Sequence, residues 1–180
     1  MKYIALLKGI NVGGNHKIKM DALREMCGKI GLENVKTYIQ SGNIVFDSSV
    51  ESPAAIEDAI HQGIKDTFGF DIATLVLTEA YVKDTFANNP YLAENEAIDI
   101  KLLHVTFLKT EPAAELVEAL NAMDFGTDEF KIIGTRAYLH FPNGYGRTKL
   151  TNAHFERKLK VEATTRNWRT VGKLSALIDS

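Results

Sequence analysis

Tyr3-Ile4-Ala5-Leu6-Leu7, running into Lys8-Gly9-Ile10-Asn11-Val12-Gly13-Gly14-Asn15-His16-Lys17, decides how the rest of the chain is read. The first five residues are apolar at odd and even positions alike. In a strand, alternate side chains point to opposite faces, so both faces of this one have to be covered. The ten residues that follow are rich in glycine, asparagine and lysine, and a helical pattern begins near Met20. A strand therefore delivers a polar glycine loop to a helix start. Such a loop can offer backbone N–H groups, amides and positive charge to an anion.

The pattern outward from this strand is strand, helix, strand, strand, helix, strand. Leu23, Met26, Cys27 and Ile30 fall on one helical face. Residues 35–40 and 44–46 read as strands joined by a Ser41-Gly42-Asn43 turn. Ser52-Pro53 opens a second helix whose stripe is Ile56, Ile60, Ile64 and Phe68. Residues 72–77 close the unit. Residues 78–99 read as a connector, with a short helix capped by Thr78 and ended by Asn88-Asn89-Pro90.

The order then recurs without the sequence recurring. Residues 102–108 read as a strand. Pro112 starts a helix striped by Ala113, Leu116, Val117, Leu120 and Met123. Residues 130–133 and 138–141 flank Gly134-Thr135-Arg136. Thr151 or Asn152 caps a helix with Phe155 and Leu159, residues 161–165 form a short strand, and a last helix runs from Thr170. The expected fold is α+β: a tandem duplication of a ferredoxin-like βαββαβ unit, packed as one compact body, with an extra C-terminal helix. The expected divisions are 1–78, a connector at 79–100, and 101–180.

The chain has 180 residues with ordinary hydrophobic (45%) and charged (24%) fractions, so a packed globular protein is expected. No apolar run approaches the ~20 residues of a membrane span. A single cysteine, Cys27, excludes an internal disulfide. With no signal-peptide pattern at the N-terminus, the cytoplasm is the expected location. The net charge of −2 conceals an asymmetry. Residues 1–50 carry seven Lys/Arg against four Asp/Glu, residues 51–129 four against sixteen, and residues 130–180 ten against three. If the two basic ends meet, they make one positive patch on an otherwise acidic body.

Three segments resemble a known family. They are Gly9-Ile10-Asn11-Val12-Gly13-Gly14 with Lys17-Ile18-Lys19-Met20, then Tyr38-Ile39-Gln40-Ser41-Gly42-Asn43-Ile44-Val45-Phe46, then Pro142-Asn143-Gly144-Tyr145-Gly146-Arg147 with Lys149-Leu150-Thr151 and residues 163–171. Together they resemble domain-of-unknown-function family 1697, an uncharacterised and mostly bacterial family. The resemblance implies a duplicated ferredoxin-like arrangement. It implies no activity, substrate or cofactor.

Stricter motifs fail. A P-loop needs Gly-Lys-Ser/Thr where Asn15-His16 follows Gly14, and the loop contains no Gly-x-Gly triplet. The five histidines show no metal-ligand spacing, so no metal or cofactor is expected and no catalytic group is assigned. Cys27 on an apolar stripe reads as a small buried hydrophobe. Trp168 between Arg166 and Arg169 could stack a planar ligand, although a core position is the commoner fate of a lone tryptophan. The expected function is binding of a phosphate-bearing or other anionic small molecule in a basic cleft between the halves. The expected ligand-binding residues are Asn11, Lys17, Ser41, Asn43, Arg147, Arg166 and Asn167. An enzyme acting on a small phosphorylated substrate, through His16 or Ser41, is the second expectation. Weak non-specific nucleic-acid binding is the third; the strands lack the aromatic RNA-recognition signature.

Overall fold

The computed structural model describes all 180 residues. Packing divides them into two units, Met1–Asp84 with Lys173–Ser180, and Thr85–Gly172.

The first unit contains β1 (Lys2–Leu7), α1 (Met20–Lys29), β2 (Glu33–Tyr38), β3 (Asn43–Asp47), α2 (Pro53–Phe68) and β4 (Thr74–Thr78). Its antiparallel sheet has the order β2-β3-β1-β4. Tyr3, Ala5 and Leu7 pack with Leu23, Met26 and Cys27 of α1 and Ile56, Ile60 and Ile64 of α2. Ile4 and Leu6 point to the opposite face and are buried as well, as the apolar run requires. Full burial of each large aliphatic side chain contributes roughly 1.5–3 kcal/mol. The start of α2 is fixed by Ser52, whose Oγ accepts from the Ala55 N–H at 3.3 Å, and by Pro53 behind it.

The second unit contains α4 (Pro90–Glu94), β5 (Leu103–Leu108), α5 (Ala114–Asn121), β6 (Glu129–Ile133), β7 (Arg136–His140), α6 (Asn152–Leu159) and β8 (Ala163–Asn167). The sheet order is β6-β7-β5-β8, the same arrangement as in the first unit. Leu108, Leu139, Phe141, Phe155 and Leu159 form its core.

The duplication extends to single hydrogen bonds. Leu7 N donates to Gly42 O at 2.8 Å, and Leu108 N to Thr135 O at 2.8 Å. Lys8 N donates to Ala73 O at 3.0 Å, and Lys109 N to Glu162 O at 2.8 Å. The repeat also has a seventh element, longer than the βαββαβ pattern. Thr78 Oγ1 accepts from Tyr81 N at 3.2 Å where α3 (Glu79–Ala87) begins. Asn167 Oδ1 accepts from Thr170 N at 2.8 Å where α7 (Trp168–Ile178) begins. The last helix thus starts at Trp168, ahead of the expected Thr170, because Asn167 is its cap. The connector at 79–100 is largely helical, with α3, α4 and a 3₁₀ turn at Ile100–Leu102.

The end of α7 belongs to the first unit. There Lys2 Nζ donates to Ile178 O at 2.6 Å and Lys36 Nζ to Ser180 O at 2.8 Å. Cations at a helix C-terminus complement its exposed carbonyls. Lys83 bridges Glu79 and Asp179, both at 2.6 Å.

Candidate functional site

The glycine-asparagine loop after β1 is closed by hydrogen bonds. Asn11 N donates to His16 O at 3.2 Å, and Asn15 N to Val12 O at 3.0 Å. Asn11 takes φ +53°, a left-handed conformation that asparagine tolerates better than most side chains. Its amide holds three loop and turn segments of backbone together. Nδ2 donates to Ile18 O at 3.0 Å and to Gln40 O at 2.8 Å, and Oδ1 accepts from Ile18 N at 2.9 Å. The loop is thereby tied to the β2–β3 turn. His16 Nδ1 donates to Gly9 O at 3.2 Å, and its ring meets Phe70 edge-on at 5.2 Å.

That turn is itself fixed. Asn43 is fully buried, and its Nδ2 donates to Tyr38 O at 3.1 Å and Ser41 Oγ at 3.0 Å. Gly42 takes φ +80°, and a Cβ there would lie 2.6 Å from Leu7 Cβ.

Between loop and turn lies a hollow of about 660 Å³, within the usual range for small-molecule sites. Lys17, Lys19, Met20, Asn11, Gly14 and Gln40 are among its lining residues. Lys17 and Lys19 are exposed, and neither is ion-paired. Asp21, also at the hollow, is neutralised by Arg24 three residues on. The hollow borders the start of α1, where Lys19 provides no side-chain cap and the first helical bond is Leu23 N to Lys19 O at 3.0 Å. The rim is therefore net positive.

The expected site residues fall into distinct roles. Asn11 and Lys17 meet at the hollow, and Ser41 and Asn43 build the adjoining turn. The amides of Asn11 and Asn43 are engaged with backbone and turn, so they shape the site and leave direct charge contact to the lysines. Gln40 and Lys19 join the lining; the Asn11 amide bonds the Gln40 carbonyl across 29 residues of sequence.

In the second unit, Arg147 lies in the 3₁₀ turn Tyr145–Arg147 and is exposed. Arg166 and Asn167 are consecutive in β8, and successive strand residues face opposite sides. Arg166 is buried, with Nη1 donating to Thr164 Oγ1 at 2.8 Å and Thr165 O at 2.9 Å. Burial pushes its guanidinium down to about 10. Asn167 is the α7 cap described above. Trp168 is buried and stacks on Phe86 with centroids 5.2 Å apart, a core position.

One buried group had no sequence signal. His104 on β5 is 8% exposed, its ring stacks on Tyr145 at 4.8 Å, and its Nδ1 makes no hydrogen bond. Burial pushes its imidazole down to about 4, with the Leu102 carbonyl pulling weakly the other way. On the same sheet face, Thr106 Oγ1 and Thr165 Oγ1 are 2.7 Å apart, and Thr165 donates to Asn152 Oδ1 at 3.1 Å. Cys27 is buried and its thiol is pushed up to about 12, which removes the thiolate a nucleophile needs. No three His, Cys, Asp or Glu side chains come together to hold a metal ion.

The sequence matches the family described as "Protein of unknown function (DUF1697)" over residues 1–138. The chain belongs to the DUF1697 family. The matched residues of this DUF1697 protein contain the whole loop, turn and hollow; Arg147, Arg166 and Asn167 lie beyond them. No curated protein matches it. A solved structure described as the conserved bacterial protein SP0830 from Streptococcus pneumoniae is similar to it. The two are 23% identical, the likeness covers 98% of each chain, and the TM-score is 0.76, a shared fold. No helix is long and apolar enough to cross a membrane.

The clasp carries a direct prediction. Asn11→Ala removes three hydrogen bonds and puts a less tolerant residue at φ +53°. At roughly 0.5–1.5 kcal/mol per bond, the expected loss is about 2–3 kcal/mol in urea unfolding. A loss under about 0.5 kcal/mol would show that the amide does not hold the loop.

Proposed function

We propose that this protein binds a phosphate-bearing or similarly anionic small molecule in the hollow after β1, in the cytoplasm. The supporting observation is the pairing of a rigid, clasped loop with two unpaired lysines, Lys17 and Lys19, on the rim of a ligand-sized hollow. A preformed rim avoids much of the ordering cost of binding. Lysine ammonium groups supply charge without the planar fork of arginine, so recognition here is by charge and shape, and bidentate geometry has no part in it. Arg166, buried and engaged by Thr164 and Thr165, contributes to folding in this reading.

Calorimetric titration with inorganic phosphate tests it. The Lys17→Gln/Lys19→Gln double variant is expected to bind about tenfold or more weakly, since charge-assisted bonds are worth roughly 1.5–3 kcal/mol before solvent screening. Affinity should also fall as salt rises. Equal binding by the double variant, or no binding by the unmodified protein, would count against the proposal.

A further inference from the structure

Each sheet has two edge strands, β2 and β4 in the first unit and β6 and β8 in the second. An edge strand exposes unpaired N–H and C=O groups, and proteins commonly cover or distort such edges. Three of the four are treated in this way. On β4 the Val76 N–H donates to Glu57 Oε1 at 2.8 Å. On β8 the Ala163 N–H donates to Glu156 Oε1 at 3.0 Å, and Ala163 O accepts from Asn152 Nδ2 at 2.9 Å. The two glutamates hold the same place in both repeats, each a little over one turn beyond its helix cap, Ser52 or Thr151. On β2 the register shifts between Glu33 and Lys36, with Asn34 at φ +50°. A bulge of this kind twists an edge away from pairing.

β6 has none of these devices. Ile133 and Arg136 flank the two-residue turn Gly134-Thr135, which makes them a hydrogen-bonded pair. By alternation, Lys131 with Tyr138 and Glu129 with His140 are hydrogen-bonded pairs as well. Phe130 and Ile132 therefore aim their N–H and C=O groups outward, and no loop, helix or side chain bonds them. A lysine in the middle of an edge usually deters pairing. The Lys131 ammonium is instead drawn toward α4, to Glu94 and to the Tyr91 ring, whose centroid lies 4.8 Å away.

We propose that β6 is a dimerisation edge, pairing antiparallel with β6 of a second copy of this chain about a two-fold axis. The charges select both the occupant and the register. With Phe130 opposite Phe130 of the second copy, the outward groups of both strands meet. Glu129 of each copy then stands opposite Lys131 of the other. Those are non-hydrogen-bonded positions, where facing side chains come closest. Lys131 has three N–H donors, enough for Glu94 and a second carboxylate. Sliding one copy by two residues would set Lys131 against Lys131.

Sedimentation equilibrium of the full chain over a concentration series is the test. A short edge contact is weak, so a dimer dissociation constant between about 1 μM and 1 mM is expected. Lys131→Glu and Glu129→Lys each turn two attractive pairs into repulsive ones and should weaken dimerisation about tenfold or more. Mixing the two variants, or combining both changes in one chain, should restore it; urea unfolding verifies that each variant is folded. Backbone amide exchange at Phe130 and Ile132 should slow as concentration rises, which a change in stability alone would not confine to those two positions. A chain that stays monomeric at millimolar concentration overturns the proposal. So does a dimer that both charge reversals leave intact, or that the combined variant fails to restore. Exchange at Phe130 and Ile132 that ignores concentration also overturns it, as does a chain that binds an added extended peptide at β6 without pairing with itself.

Discussion

Gly42→Ala is expected to destabilise the protein by about 3 kcal/mol, and to lower the melting temperature of a chain this size by roughly 6–12 °C. Two costs add. At φ +80° an L side chain loses about 1–2 kcal/mol. The new methyl would also lie 2.6 Å from Leu7 Cβ and 3.2 Å from Ile10 Cγ1. Both neighbours are buried, so overpacking adds about 1–3 kcal/mol. The Leu7 N to Gly42 O bond ties the turn to the end of β1, so the strain falls where strand, turn and loop meet. Anion binding is expected to weaken with it. Thermal and urea unfolding of the variant check this; a loss within about 0.5 kcal/mol would mean that the turn adapts freely.

The second large effect is an acid-dependent loss of stability centred on His104. Its imidazole is pushed down to about 4 in the folded protein, against about 6.5 when unfolded. The folded state therefore resists protonation, and the unfolded state binds the extra proton. Stability from keeping the ring neutral is complete above pH 6.5 and is lost as pH falls toward 4. The expected loss is about 2 kcal/mol by pH 5 and about 3 kcal/mol by pH 4. Other groups titrate over the same range, so the informative quantity is the difference between the unmodified protein and His104→Leu. Leucine keeps an apolar contact beneath Tyr145 and Phe141, the two rings that pack on His104. Urea unfolding from pH 7 to pH 4 should show that difference shifting by about 2–3 kcal/mol against the unmodified protein. A constant difference would show that the ring is not held neutral.

Much of the fold was legible because its signals are local. The apolar run of β1 demanded cover on both faces, and Ile4 and Leu6 are buried on the face opposite Tyr3, Ala5 and Leu7. Ser52-Pro53 opened α2 through a cap made by neighbours in sequence. α7 begins two residues ahead of the expected Thr170, because Asn167 bonds the Thr170 N–H and caps the helix from Trp168.

The candidate site was legible in its loop and obscure in its partners. Asn11, Lys17 and the turn at Ser41-Gly42-Asn43 stand out by residue type. Gln40 does not, because its bond to the loop comes from Asn11, 29 positions away in sequence. Arg166 stands out as part of a polar cluster just before a helix cap, and its burial does not show in residue type. Alternation along β8 instead turns its guanidinium inward, onto Thr164 and Thr165. His104 left no trace, since an isolated histidine between apolar residues carries no pattern until the strand buries it.

The central claim is that an anion is held at the loop after β1. An amide-resolved NMR titration with inorganic phosphate examines it residue by residue. Saturable shifts confined to Asn11, Gly14, Lys17 to Asp21 and Gln40, lost in Lys17→Gln/Lys19→Gln, are the predicted result. Shifts that leave these amides unmoved while others respond, or a spectrum unchanged at any phosphate concentration, would contradict it.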